Sequence, residues 1–380
     1  MKRLLIQVVS QLKPERCGVS DNALLLAREL EIAYGISTAF IVLNSTEQCD
    51  QPFARIYCPP RKLLQSCNSL SEGRQAALLV HCSGYGYSTD GAPTLLADAL
   101  KQVRNSGQFR IGTYFHELYA TGMPWRSAFW YSHRQRRALR KIAAESDLIV
   151  TNTSYHFEWL KHNALLGSST PLLRMPVFSN VGENEQPLSV GDRRPAMIIF
   201  GLPSTRRRAY KLASSLRGML HCLGIEEILD IGPECETPAS LGGIPVRRIG
   251  ALDASDLALL LSETRFGLVS HEPICLAKSG VFAGFCAHGT IPIIAESFQG
   301  EMDGLSDGIH VISPQKTKDA LAYGLQNCSA ASWNWYLEHR VHVHALTYSQ
   351  LLLSPTEKDD TDICMATRTA HAQNGYASGK

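Results

Sequence analysis

The chain has 380 residues, 44% of them apolar, and a formal charge of +2. That length suits two ordinary domains with real cores, and the near-neutral balance gives no field aimed at nucleic acid or another polyanion. Eleven cysteines occur without a C-x-x-C pair, which argues against a disulfide framework or a structural zinc site and favours a reducing compartment. The N-terminus, MKRLLIQVVSQL, is basic and then apolar. Its apolar part is too short for a signal peptide or a membrane span, and no other run reaches spanning length. The expected location is cytoplasmic, with room for a peripheral contact on the inner face of a membrane.

Leu4 to Val9 reads as the first buried strand. A polar loop with Pro14 leads into a helix, Asn22 to Ile32, with Ser20 or Asp21 as its N-cap. Ser37 to Leu43 and Ala54 to Tyr57 read as strands, and Arg61 to Leu70 as a helix. The strand Ala76 to Val80 runs into the polar segment His81 to Tyr87, and the helix Thr94 to Val103 follows. Arg110 to Phe115 is a strand ending at His116-Glu117, and a loop carries Gly122 to Trp125. A basic helix, Phe129 to Ala144, precedes the strand Leu148 to Thr151 and the helix Tyr155 to Leu160. Pro171 to Pro195 lacks periodicity and reads as a linker, with Leu173 to Val177 as a last strand.

A second alternation then begins. Strands are expected at Ala196 to Phe200, Glu227 to Ile231, Val246 to Ile249, Phe266 to Ser270 and Ile291 to Ala295. Helices are expected at Arg206 to Cys222, Asp253 to Glu263, Val281 to Ala287, Asp319 to Gln326 and Ala331 to Leu352. Alternating strands and helices imply parallel sheets covered by helices. The fold class is therefore α/β, with two Rossmann-like domains facing each other across a cleft. The expected boundaries are 1–180 for the first domain and 190–330 for the second. A helix at 331–352 follows, and 354–380 is a polar, disordered tail.

The polar and glycine-rich segments all follow strands, where open α/β sheets bind ligands. Lys278-Ser279-Gly280 opens a helix, and such a start offers unpaired N–H groups to an anion beside the lysine charge. Arg206 and Lys211 lie five apart in the loop FGLPSTRRRAYK, where fixed positive charge suits a diphosphate. A solvated basic face is the ordinary alternative. Glu272 suits bonds from ribose or sugar hydroxyls, or is a solvated loop carboxylate. His116 and Glu117 end a strand, where the His suits a sugar hydroxyl or a reaction-centre oxygen, or is a structural strand-end residue. Tyr119, Trp125, Phe129 and Trp130 follow and suit a sugar or lipid platform, or plain loop packing. Gly18 and Asp21 sit at a helix start and face a phosphate or an acceptor, or merely turn the chain. The fingerprints G-x-G-x-x-G and H-E-x-x-H are absent.

Assembled, these residues resemble the GT-B glycosyltransferases, and specifically the retaining family 4 enzymes of the bacterial polysaccharide type. PERCGVSDNALLLAREL resembles the N-terminal glycine loop and first helix, and YFHELYATGMPW the strand-end His segment. IIFGLPSTRRRAYK resembles the donor-phosphate loop, and AGFCAHGTIPII the helix and Gly-Thr turn that close the nucleotide site. The resemblance departs at the family's pair of Glu residues, spaced seven positions apart. The second Glu's place holds Gly284, the first falls near Leu276, and Glu272 corresponds only loosely.

The resemblance implies a retaining, metal-independent hexosyltransferase of polysaccharide biosynthesis, moving a sugar from a nucleotide diphosphate sugar to a hydroxyl acceptor. Donor binding falls to Arg206, Lys211, Glu272, Lys278, Ser279 and Gly280, catalysis to His116 and Glu117, and the acceptor side to Gly18 and Asp21. No cofactor or metal is expected, and no nucleic acid; the acceptor is a glycan, a lipid-linked or a small molecule. The missing Glu favours a second reading, a non-catalytic nucleotide-sugar-binding or scaffold protein partnering an active transferase. A sugar-nucleotide epimerase is a third, with Glu117 and Glu272 as its carboxylate pair.

Overall fold

The computed structural model describes residues 3–13, 17–45, 51–120 and 127–353. The tail expected at 354–380 and the loop residues Gly122 to Trp125 lie outside them.

The first half is a seven-stranded sheet. Its strands are β1 (Leu4–Val9), β2 (Ser37–Val42), β3 (Ala54–Tyr57), β4 (Ala76–Cys82), β5 (Arg110–Phe115), β6 (Leu148–Thr151) and β7 (Leu172–Arg174). The order is β3-β2-β1-β4-β5-β6-β7, and every pairing is parallel. The second half carries β8 (Arg194–Phe200), β9 (Glu227–Ile231), β10 (Ser240–Leu241), β11 (Ile244–Gly250), β12 (Thr264–Leu268) and β13 (Ile291–Ile293). They order as β10-β11-β9-β8-β12-β13, parallel except for the β10–β11 hairpin. Runs such as LLIQVV and MIIF are buried throughout, as strands covered on both faces require.

Several boundaries differ from expectation for local reasons. The first helix starts a turn early, at Gly18–Tyr34, with Cys17 as N-cap and no side-chain cap bond. Ser20 does not cap it: its hydroxyl donates to Gln11 O and accepts from Lys13 N, pinning the preceding loop instead. The expected helix Arg206 to Cys222 breaks into Pro203–Ala213 and Arg217–Cys222 around a 3-10 turn at Ser214–Leu216. Asp253, expected as the first residue of a helix, is the N-cap of Ala254–Glu263 and accepts from Asp256 N.

The expected helix Ala331 to Leu352 is two helices, Leu325–Leu337 and Val341–Leu351. The chain must turn between them to cross from one half to the other. Glu183 holds the turn, since its Oε1 accepts from Tyr336 OH at 2.6 Å and from Val341 N at 2.9 Å. Val341–Leu351 then lies on Gly18–Tyr34. His342 joins the two helices, meeting Glu29 Oε1 at 2.8 Å and Tyr34 OH at 3.1 Å. One apolar core runs unbroken from Leu5 and Tyr114 in the first half through Val177 and Phe178 to Phe200 and Phe282 in the second.

The helix Gly280–Ala287 is seated on β12 by a glycine. A Cβ on Gly267 would lie 2.2 Å from the Phe285 ring, so the bare backbone of β12 lets that ring sit flat against the sheet. Gly267→Ala is expected to cost about 1–3 kcal/mol of stability through overpacking, read as a lower midpoint in urea unfolding with an unchanged slope. A midpoint equal to the parent's would show that the contact does not set the helix position.

Candidate active site

Parallel strands send all their C-terminal ends to one edge, and the two sheets present those edges to each other. Between them lies a cavity of about 640 Å³. The first half contributes Gly18 and Asn22 from its first helix, Ser83 after β4, His116 and Glu117 after β5, and Asn152 after β6. The second half contributes Arg208, then His271 and Glu272 after β12, and Lys278 and Gly280. The crossing segment adds Val177, Phe178 and Asn180.

Two helix starts open into this space. Ser279 caps Gly280–Ala287 by accepting from Phe282 N at 3.2 Å, and Ala283 N bonds to Ser279 O. The N–H groups of Gly280 and Val281 therefore have no partner within the helix. Across the cavity the start of Gly18–Tyr34 has no side-chain cap bond at all. Each start carries partial positive charge, and the Lys278 and Arg208 side chains add full charges to the second-half wall.

Two carboxylates also line the cavity, Glu117 on the first-half wall and Glu272 on the second-half wall. Glu117 is exposed, accepts from Ser83 Oγ at 3.3 Å, and faces Lys278 Nζ across the cavity at 3.9 Å. That separation makes a loose, solvent-screened pair. Glu272 is exposed and precedes the 3-10 turn Pro273–Lys278.

The histidines around the site are neutral. Burial lowers His116 well below its ordinary value, helped by nearby His81 and His344. Burial lowers His271 to about 4, with Arg208 and Lys278 adding to the effect. His156, behind Asn152, is lowered to about 4 by burial and then by Lys278. Asn152 bridges this group, donating to His116 O at 3.0 Å while His156 Nδ1 bonds its Oδ1 at 3.1 Å.

Of the residues singled out in the sequence, the fold gathers His116, Glu117, Glu272, Lys278, Gly280 and Gly18 around one cavity. Ser279 sits behind the wall, its hydroxyl between Phe282 N and His271 Nδ1. Asp21 is likewise one step back, accepting from Asn180 Nδ2 at 3.3 Å. Lys211 is exposed and is not among the lining residues.

Arg206 requires a correction. It is buried, with its guanidinium 2.7 Å from Asp230 Oδ2 and bonded to Pro233 O, so it ties the loop after β8 to the end of β9. Arg208 reaches the cavity instead, about 200° further round the helix. The signal was present in the sequence. Ala209, Tyr210 and Ala213 lie three, four and seven positions after Arg206 and are buried with it, which is the spacing of one helix face. Gly284 stands where the resemblance would place the second Glu. A side chain there would meet Val181 at 3.1 Å and the Phe200 ring at 3.4 Å, so the position of the expected second Glu faces apolar core. Asn152 and Asn180 were missed because single asparagines after strands carry no distinctive spacing.

Among the described residues, no helix is long and apolar enough to cross a membrane, and no three His, Cys, Asp or Glu side chains converge as a metal site.

No protein-family model matches the chain, and no curated protein is detectably similar in sequence. Solved structures match over nearly the whole length. An α-glucosyltransferase in complex with UDP and a 13-mer DNA containing a central A:G mismatch superposes with a TM-score of 0.53 at 13% identity, covering 98% of this chain and 99% of that one. Sucrose-phosphate synthase from Thermosynechococcus elongatus gives 0.51 at 14%, covering 98% and 100%. An E. coli trehalose-6-phosphate structure bound with UDP-2-fluoro glucose gives 0.54 at 12%, covering 92% and 98%. The chain has the GT-B architecture of two Rossmann-like halves. At these identities the likeness establishes the fold.

The two arginines separate stability from binding. Arg206→Ala leaves Asp230 buried without its partner and is expected to cost about 3–5 kcal/mol. Arg208→Ala, at an exposed position, is expected to stay within about 0.5 kcal/mol of the parent. Chemical unfolding of both variants checks this, and equal losses would refute the division.

Proposed function

We propose that the chain is a glycosyltransferase that takes a sugar from a nucleotide diphosphate sugar, UDP-linked in the first instance, and passes it to a hydroxyl acceptor with retention. The observation that carries this reading is convergence. Lys278, Arg208 and the open N-terminus of Gly280–Ala287 meet on one wall of a cavity whose other wall holds His116, Glu117 and the start of Gly18–Tyr34.

Breaking a sugar–diphosphate bond leaves negative charge on the departing phosphate. Two fixed cations and a set of backbone N–H groups stabilise that charge as it develops, in a partly desolvated cleft where each is worth more than in water. These groups do the work a metal would otherwise do, so the proposed transfer needs none. Arg208 takes the role that spacing suggested for Arg206. Neutral His116 contacts the sugar without adding a charge that would oppose positive character at the reacting carbon. Glu117, held between Ser83 and Lys278, accepts bonds from sugar hydroxyls, and Glu272 accepts from the ribose. Gly18 and Val19 present N–H groups to the acceptor, while Asp21 steadies that wall through Asn180. The family 4 assignment and a role in polysaccharide synthesis rest on the sequence resemblance.

One observation favours a second reading. The site of the family's second Glu is closed by Val181 and Phe200, which suits a nucleotide-sugar-binding protein that partners an active transferase. Release of UDP separates the two.

Calorimetry with UDP and UDP-glucose is the direct test. Arg208→Ala and Lys278→Ala are each expected to weaken UDP about ten- to hundredfold, the worth of one charge-assisted bond. Parent protein without UDP affinity, or variants that bind like the parent, would remove the donor assignment. UDP release that depends on an acceptor would establish turnover. Since one similar structure carries DNA, oligonucleotides belong in the acceptor screen beside glycans, lipid-linked and small hydroxyl compounds. Binding without release across that screen would favour the partner-protein reading.

A further inference from the structure

Behind His116 a line of side chains runs out of the cavity and across three adjacent strands. Gln7 is on β1, His81 on β4, and His116 follows β5. Gln7 and His81 are essentially inaccessible, at 0% and 1%, and His116 is 7% exposed. Gln7 Nε2 donates to Ala23 O at 2.9 Å. Gln7 Oε1 meets His81 Nε2 at 2.6 Å, and His81 Nδ1 meets His116 Nε2 at 2.9 Å.

Each bond fixes the next. An amide oxygen only accepts, so His81 Nε2 must carry a proton. A neutral imidazole has one N–H, so His81 Nδ1 is a lone pair, and His116 Nε2 must donate to it. His116 Nδ1 is then also a lone pair, on a ring that lines the cavity. Neutrality follows from surroundings that offer no compensating charge. Burial holds His81 near about 3 and His116 well below its ordinary value. The groups packed on the rings are Tyr114, 4.0 Å from His116 between centroids, and His344 beyond it, which bonds Pro176 O. Running the line in the opposite direction requires the Gln7 amide to be reversed. Its oxygen would then face Ala23 O, two buried acceptors at hydrogen-bond distance, with a cost no other contact offsets.

We propose that Gln7 and His81 are positioning residues that keep the His116 proton on Nε2, so that the ring offers Nδ1 as an acceptor to a hydroxyl of the donor sugar. The choice of ligand rests on the function proposed above; the place of the proton does not. The arrangement selects for a group that can donate at that point and against one that can only accept.

The full chain labelled with ¹⁵N-histidine, free of ligand, decides the proton's place by NMR at neutral pH, with signals assigned by their loss in His116→Gln. The expected result is a proton on His116 Nε2 with a scalar coupling across the bond to His81 Nδ1. A proton on His81 Nδ1, or on His116 Nδ1, would overturn the proposal. A binding arm tests the consequence. His81→Phe keeps a buried ring but removes the acceptor, and His81→Gln restores a donor and an acceptor. In calorimetry, His81→Phe is expected to hold UDP affinity within about twofold while lowering the advantage of UDP-glucose over UDP about five- to tenfold. His81→Gln recovers most of that advantage. An unchanged UDP-glucose to UDP ratio in His81→Phe would overturn the positioning role. If the parent binds neither compound, the functional reading fails, and the coupling by itself still upholds or refutes the placement of the proton.

Discussion

The continuous apolar seam between the two sheets is the constraint on which the rest depends. A parallel sheet offers ligands only its C-terminal edge, and one such edge makes half a site. Here Val177 and Phe178 on the outgoing crossing, and Tyr336 and Tyr348 on the returning helices, belong to one buried core with strands of both halves. Burying that surface fixes the two edges face to face. The polar groups of the cleft then meet without direct bonds having to hold them, and the ion pair of Lys278 with Glu117 across it is long and loose. Polar links elsewhere set the angle. Asp303 Oδ1 from the second half accepts from Ser154 N and Ser154 Oγ, at the start of a first-half helix, and from Arg174.

Within the cleft, desolvation sorts the charges. Histidines on both walls are pushed toward neutrality, whereas Lys278 and Arg208 keep contact with the cavity solvent. Among the described residues, the cationic side chains of the cavity thus lie on the second-half wall, beside the open helix start. The first-half wall offers hydrogen-bonding groups and the exposed Glu117. That division suits a ligand with a charged end and a hydroxyl-rich end.

The second-half wall also shows how near a buried charge and a working one can lie. Arg206 and Arg208 share one turn of helix. Arg206 pairs with Asp230 Oδ2 inside the protein, and a Cβ on Gly232 would lie 2.9 Å from its Nε. Glycine at that point, with φ of +145, is what lets the guanidinium pass. Arg208 is left to face the cleft because its neighbour occupies the inward face.

Strand and helix periods in the sequence determined the architecture: two alternating α/β runs, parallel sheets, and site loops after strands. The reason is that burial on both faces writes apolar strands directly into the residue order, as in LLIQVV and AALLVHC. His116 and Glu117, at the end of β5, and Glu272, in the loop after β12, could be picked out for the same reason, and Lys278 by the helix start it precedes. The helical spacing of Ala209, Tyr210 and Ala213 marks the Arg206 face as the buried one, but only tertiary structure supplied its partner Asp230, which lies 24 residues along the chain. It alone set Glu183 at the break between the last two helices, 153 residues from its Tyr336 partner. It alone brought Gln7, His81 and His116 into line, because hydrogen bonds between strands obey distance in space, and nothing in the spacing of three lone residues records it.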